Sequence, residues 1–495
     1  MDALVNILSN PLAILMVVLF FGASIFVHEL GHFLAARWRG LVIEKFSIGF
    51  GPRIFGWTDK SGVEWRVSWL PLGGYVMLPQ LSELHELEGP ARERATHYPP
   101  IGYTDKMVVS VAGAVFNVIF ALAIGTLLWI TGIERAESEF TTQIGYVAEE
   151  MTDYDEVTRI GPAHAAGLVP GDRILTVDGQ PVDEWIDLVY AITTGSRRSE
   201  AGNPRSVLTV ERLDGQVEEV TLFPLLIEHE RVRQVGISPA LRTVVGGTIE
   251  NSPAERAGLG PGDEIVAVDG EPIFFRVPLF ERVEANPPEG VRLTVRTADG
   301  AMRDVTLVPE EVVIDTAGTV VPMIGAQFLV PTQLVHETPF YQIAEAFQLT
   351  LRVLGALINP QTDVGVRNLS GPVGIGYSLY QFFQISLRDL LSIVVLININ
   401  LAILNLLPIP ILDGGHMAFA TIGKLRGKPL PVNLIAGLQT GFAFLLLGTM
   451  LYVTFFDFGR VDRNERALLE AERVQAERIM PVFGQTATDP EEIEP

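Results

Sequence analysis

The sequence has no cysteine and only five lysines, none of them between residues 134 and 389. Without thiols no disulfide can staple a domain and no thiolate can bind a metal, while the compartment stays open because a thiol-free chain can live anywhere. The first ten residues, MDALVNILSN, carry no Lys or Arg, and no A-x-A site follows the apolar run behind them. That run is therefore expected to remain as a helix rather than be cleaved as a leader. Uncharged stretches of the ~20 residues needed to cross a ~30 Å hydrocarbon core are also scarce. Four occur: one from near Pro11 through FVHELGH (26–32), then 107–133, 390–412 and 429–456.

Nearly half of the 495 residues are hydrophobic, yet the net charge is −23, so apolar and acidic residues must be segregated along the chain. Lys45, Lys60, Lys106, Lys424 and Lys428 all fall between spans one and two or between spans three and four. Positive charge marks the cytoplasmic side, so these loops are expected inside. The segment 134–389, with 38 Asp plus Glu against 19 Arg, is then expected outside together with both termini. A lipid bilayer is the expected surrounding, and no nucleic acid is expected as a partner.

One pattern occurs twice in that outer segment, PAHAAGLVPGDRILTVDG at 162–179 and PAERAGLGPGDEIVAVDG at 253–270. Pro-Gly-Asp sets a turn before an alternating strand, and the Gly after Val-Asp suits another tight turn. Each copy leads into a hairpin with an Asp-Gly turn, SVLTVERLDGQVEEVTLF or VRLTVRTADGAMRDVTLV. Over 138–228 and 229–312 the sequence resembles the PDZ family, whose members add an extended peptide as a strand at a sheet edge. The alternative is a pair of β-domains that only space or shield the membrane part. Between these and span three, 313–389 holds the apolar helix FYQIAEAFQLTLRVLGALI, which either lies on the membrane surface or is buried in the soluble part. The tail RVDRNERALLEAERVQAERIM reads as a solvated amphipathic helix.

Chemistry concentrates in H-E-x-x-H. On a helix His28 and His32, at i and i+4, project from one face, with Glu29 placed to take a proton from a water on a shared metal. Chance alone yields this motif in about one such sequence in a hundred. Within a span, ionisable groups cost about 2.5 to 3.5 kcal/mol each and demand an internal partner, for which a divalent metal suffices. A catalytic zinc site needs a third ligand and an open position. Asp413 in NLLPIPILDGGH (405–416), the acid at the exit of span three, is the candidate, with an ordinary turn aspartate as the alternative; His416 is a further potential ligand. Pro408 and Pro410 must break the helix and leave carbonyls facing a polar cavity, where Asn405 is the candidate to hold a substrate carbonyl.

FVHELGH, FSIGFGP (46–52), LPLGGYV (70–76), VAGAVFN, LSGPVGI and NLLPIPILDGG together resemble the site-2 protease family of intramembrane zinc metalloproteases. The resemblance implies Zn2+ held by His28, His32 and Asp413, Glu29 as the catalytic residue, Asn405 at the substrate, and a membrane-associated β-loop in which Gly73, Gly74, Tyr75 and Val76 pair with the extended substrate. One departure is Ala112, Gly113 and Ala114 before Asn117, where the family has Ala-Gly-Pro. The expected fold is a polytopic α-helical membrane protein of four transmembrane helices with two tandem periplasmic PDZ-like, mainly β (α+β) domains. Its expected division is 1–137 with the β-loop, 138–228, 229–312, 313–389, 390–459 and 460–495. The resemblance further implies cleavage of single-span membrane proteins in a bacterial inner membrane, namely anti-sigma factors first trimmed by a periplasmic site-1 protease, and remnant signal peptides. A membrane-tethered PDZ scaffold and a metal transporter are the competing readings.

Overall fold

The structure, a computed structural model, describes residues 11–80, 98 and 101–483. The two chain ends, expected outside, lie beyond the described residues. Two compact units are present: Met1–Ile133 with Val335–Leu354 and Val366–Glu465, and Glu134–Leu334 with Gly355–Gly365 and Arg466–Pro495.

The first unit is built from helices α1 (Pro11–Trp38), α2 (Tyr103–Thr131), α3 (Pro339–Ile358), α4 (Pro372–Ile385), α5 (Leu387–Leu406), α6 (Asp413–Arg426) and α7 (Val432–Glu477), the C-terminal ends of α3 and α7 belonging to the second unit. Among the described residues, four helices are long and apolar enough to cross a membrane, namely α1, α2, α5 and α7. Their shared core is aliphatic, with Ala121, Ile124 and Leu128 of α2 against Leu390, Val394 and Ile399 of α5. Polar groups inside it come in pairs that tie helices together. The Asn398 amide donates to Ser24 Oγ at 2.9 Å, and buried Gln342 of α3 donates to the Gly125 carbonyl at 3.3 Å. Thr350 of α3 bonds Asn400, so the inner face of α3 packs on the spans while Phe340 and Leu351 remain exposed.

Strands β1 (Lys45–Thr58) and β2 (Glu64–Met77) follow α1. β2 folds back on itself, so that Lys45–Ile48 is flanked by Glu64–Val67 on one side and by Gly74–Met77 on the other. Among the described residues nothing pairs with the outer edge of Gly74–Met77. The FSIGFGP segment thus forms the central strand, a role its glycines and proline conceal.

The second unit contains two β-domains with matching parts. In the first, β3 (Ile144–Val147), β4 (Arg173–Val177), β5 (Ser206–Glu211), β6 (Val217–Leu222) and β7 (Ile237–Pro239) enclose Ile174, Leu188, Leu208 and Val210. In the second, β8 (Thr243–Thr248), β9 (Glu264–Val268), β10 (Val291–Arg296), β11 (Met302–Leu307) and β12 (Ala326–Leu329) form one sheet in the order β11-β10-β9-β8-β12 around Ile265, Leu279 and Leu293. Pairing of β7 with β3 and of β12 with β8 carries the two domains past residues 228 and 312, because the closing strand of each lies downstream of its hairpin. The repeated aspartates have repeated jobs. Asp172 accepts from Val169 N–H and Arg212, and Asp263 accepts from Gly260 N–H and Arg303. Asp178 and Asp269, both at positive φ, each accept a strand N–H, from Val207 and Arg292.

The LSGPVGI stretch opens α4 against α7. Fully buried Asp457 of α7 accepts from the Gly371 and Gly374 N–H groups at 2.9 and 2.8 Å, satisfying donors that the start of α4 leaves over. Asp457→Ala would strand both donors at a cost of about 1–3 kcal/mol each. The expected result is a lower unfolding temperature in detergent, partly restored by Asp457→Asn; an unchanged transition would show that α7 is not clasped there.

Candidate active site

His28 and His32 lie one turn apart on α1, and Asp413 is the first residue of α6. The structure brings all three together: His28 Nε2 and His32 Nε2 are 3.1 Å apart, and each is 3.3 Å from Asp413 Oδ2. Donor atoms about 2.0–2.1 Å from a common tetrahedral centre stand about 3.3 Å from one another, so this triangle has the dimensions of three corners of a zinc site. The ring orientations agree. His32 Nδ1 lies 2.8 Å from the Val109 carbonyl, an acceptor only, so Nδ1 carries the proton and Nε2 keeps its lone pair. Among the described residues these three form the single His/Asp/Glu group able to hold a metal.

The meeting point depends on local backbone breaks. α5 ends at Leu406 and the chain turns through Pro408 and Pro410 before α6 begins, as the prolines require. Gly414 and Gly415 let the first turn of α6 fold against this break, since a Cβ on either would run into the carbonyls of Leu406, Leu407 or Ile409. On the other side α2 crosses α1 at Gly113. A Cβ there would overlap His32 Nε2 and lie 2.6 Å from His28 Cε1.

A cavity of about 300 Å³ opens over the triangle. Glu29 lines it and takes a backbone hydrogen bond from Val76. Asn405, Tyr75, Val76 and His416 line it too. Gly74 sits against α1, where an added Cβ would be 3.0 Å from Glu29 Cγ. Gly73 is turned away, against the Phe50 ring, and Asn400 is spent on Thr350.

Sequence reasoning missed how α2 serves the site. Val109, Gly113 and Asn117 recur at four-residue spacing and so share one face of the helix. Val109 orients His32, Gly113 makes room for both rings, and buried Asn117 lies 3.3 Å from His28 Nδ1 through Nδ2, with its Oδ1 left without a partner. Amide O and N are interchangeable by rotation, and turning Asn117 over lets Oδ1 accept the His28 Nδ1 proton, which frees His28 Nε2 for a metal. The four-residue spacing was the available signal.

The model of peptidase family M50 matches residues 16–448. The chain belongs to peptidase family M50. This bears out the resemblance to site-2 metalloproteases, and an M50 member is an enzyme rather than a scaffold. The regulator of sigma E protease of Salmonella typhi is 32% identical over 465 residues, covering 89% of this chain and 97% of the relative. The regulator of sigma-E protease RseP of Escherichia coli (strain K12) is 30% identical over 463 residues, with the same coverage. A relative from Neisseria meningitidis serogroup A, 29% identical over 455 residues and covering 87% of this chain and 95% of its own, is named a putative zinc metalloprotease.

In this M50 protease the Gly113 position leaves no space for a methyl group. Gly113→Ala should abolish high-affinity zinc binding, measured as metal content after purification, while the helical circular dichroism in detergent is unchanged. Stoichiometric zinc in that variant would show that the α1–α2 crossing can relax.

Proposed function

We propose that the protein hydrolyses a peptide bond within the membrane-spanning segment of single-span proteins, with His28, His32 and Asp413 as zinc ligands and Glu29 as general base. The observation that carries this reading is the 3.1–3.3 Å triangle of Nε2, Nε2 and Oδ2 with Glu29 on the same cavity. Zinc bound there supplies Lewis-acid activation of water near neutral pH and polarisation of the scissile carbonyl. Glu29 removes the proton from the attacking water and delivers it to the departing amine nitrogen, a role for which its Val76 hydrogen bond positions it. Asn405 donates its amide to the substrate carbonyl oxygen, and His416 borders the entrance.

A helical substrate hides its peptide bonds until it opens, and each freed backbone group then needs a partner. Gly74–Val76, as the unpaired edge beside Glu29, offers strand addition. Exposed Ile54, Phe55, Trp57 and Trp69 on the same sheet seat it at the membrane interface. The two β-domains are read as PDZ modules, placed with the chain ends on the periplasmic face of a bacterial inner membrane, with all five lysines on the cytoplasmic side. There they filter substrates by the bulk of their outer portion. The names of the relatives point to sigma-E signalling, in which the substrate is an anti-sigma factor already trimmed by a periplasmic site-1 protease; remnant signal peptides present the same trimmed form.

Glu29→Gln should lower turnover of a trimmed single-span substrate by about 10²–10⁴-fold, the usual scale of general-base loss, while zinc content stays at the wild-type level. Turnover equal to wild type removes Glu29 as the base.

Strand addition is tested by disulfide trapping, which a chain without native thiols makes clean. A cysteine introduced by Tyr75→Cys in the Glu29→Gln background should trap single-cysteine substrates, most strongly at alternate residues around the cleavage position. Trapping without alternation, or none, counts against an extended substrate at this edge.

A further inference from the structure

The two β-domains close the same spot in different ways. In the first, Ala163 N–H donates to Val235 O and Ala148 N–H to Gly236 O, at 2.9 and 2.8 Å. In the second, Ala254 N–H donates to Ile324 O and Ile249 N–H to Gly325 O, both at 2.9 Å. Gly236 and Gly325 are therefore equivalent, and both have positive φ, +78° and +71°. Over Gly236 lies Met151, whose sulfur would be 2.7 Å from an added Cβ; it belongs to the hairpin Glu150–Thr152 with Thr158–Ile160. The second domain has no such hairpin, because Ile249 passes through Glu250 and Asn251 directly to Ser252. Its Gly325 is covered instead by Ser252, whose Cβ an added Cβ would overlap, and by Phe483, whose Cε2 would be 3.0 Å from it and which is only 4% exposed.

Phe483 arrives on an extended segment that follows α7. Ile479 N–H donates to Ile314 O at 2.9 Å, and Arg478 forms an antiparallel bridge with Asp315. Between these anchors Met480 and Val482 stay exposed, and a cavity of about 720 Å³ separates the end of α7 from Gln327 on β12. The segment is held at its ends, with two outward-facing side chains between them. That is the pattern of a seated ligand more than of a packed core strand.

We propose that residues 478–483 are the resident ligand of the second β-domain, supplying in trans along the chain the cover that the first domain carries in its own hairpin. The face around Ile314, Gly325 and Ser252 is thus an acceptor for an extended peptide with an aromatic anchor, and an outside peptide competes with the tail. This inference is independent of the proteolytic reading above.

The test uses the full chain in detergent and a chain ending at Glu477, with a fluorescein-labelled peptide of residues 475–486 as probe. The shortened chain should bind the peptide at least ten-fold more tightly than the full chain, and a peptide carrying Phe483→Ala should bind at least ten-fold more weakly. Equal binding to both chains, or no effect of the phenylalanine, overturns the proposal. Should the shortened chain fail to fold, the full chain with D315C and R478C decides: mild oxidation should join the pair nearly completely, and adding F483D should cut the joining rate at least ten-fold. No joining, or joining insensitive to F483D, overturns the docked tail.

Discussion

Three hydrogen-bond acceptors meet at 3.1–3.3 Å in the middle of an apolar helix bundle, and the rest of the first unit is arranged to tolerate this. Lone pairs brought so close at the floor of a partly buried cavity repel one another. A bound cation, or a proton between an imidazole and the carboxylate, relieves this repulsion. Every supporting contact then has a clear sense. Val109 holds the far nitrogen of His32 and Asn117 lies against that of His28, while Gly113 brings α2 close enough for both contacts to form.

The same economy governs polar groups farther out. Asn398 with Ser24, Thr350 with Asn400, Gln342 with Gly125 and Asp457 with the start of α4 each satisfy a buried group by joining two elements. In a membrane such pairs do double duty, because hydrophobic burial discriminates poorly between helix and lipid contacts. They fix which helix faces meet, and so hold the Asp413 end of the break against the two histidines.

Much of this was legible in the sequence. The four apolar runs, H-E-x-x-H, the proline break before Asp413 and the doubled β-repeat all have short-range periods or spacings that survive without coordinates. What could not be read depends on close approach between distant segments. Gly113 and Asn117 matter because α2 crosses α1 there, and nothing in residues 107–133 says where the crossing falls. FSIGFGP is rich in Gly and Pro, which are poor strand formers, yet its Phe46–Ile48 part is the centre of its sheet, where pairing on both sides overrides propensity. The substitution of Phe483 for Met151 over equivalent glycines was hidden for the same reason, since the two covers come from opposite directions along the chain.

One glycine couples Glu29 to the outer edge of the strand. Gly74 lies on the outer strand of its sheet, and a Cβ there would crowd the Ser47 carbonyl oxygen at 2.8 Å and Glu29 Cγ at 3.0 Å. Any larger residue would push the strand from the helix or displace the carboxylate. The strand approaches Glu29 where it lacks a side chain, and Val76, two residues on, places its N–H on Glu29. A substrate segment opened here would need backbone partners within reach of Glu29, because each unsatisfied peptide group in the membrane costs several kcal/mol. The contact at Gly74 meets both needs at once, setting the distance between the edge that would hold an extended chain and the carboxylate that would act on it.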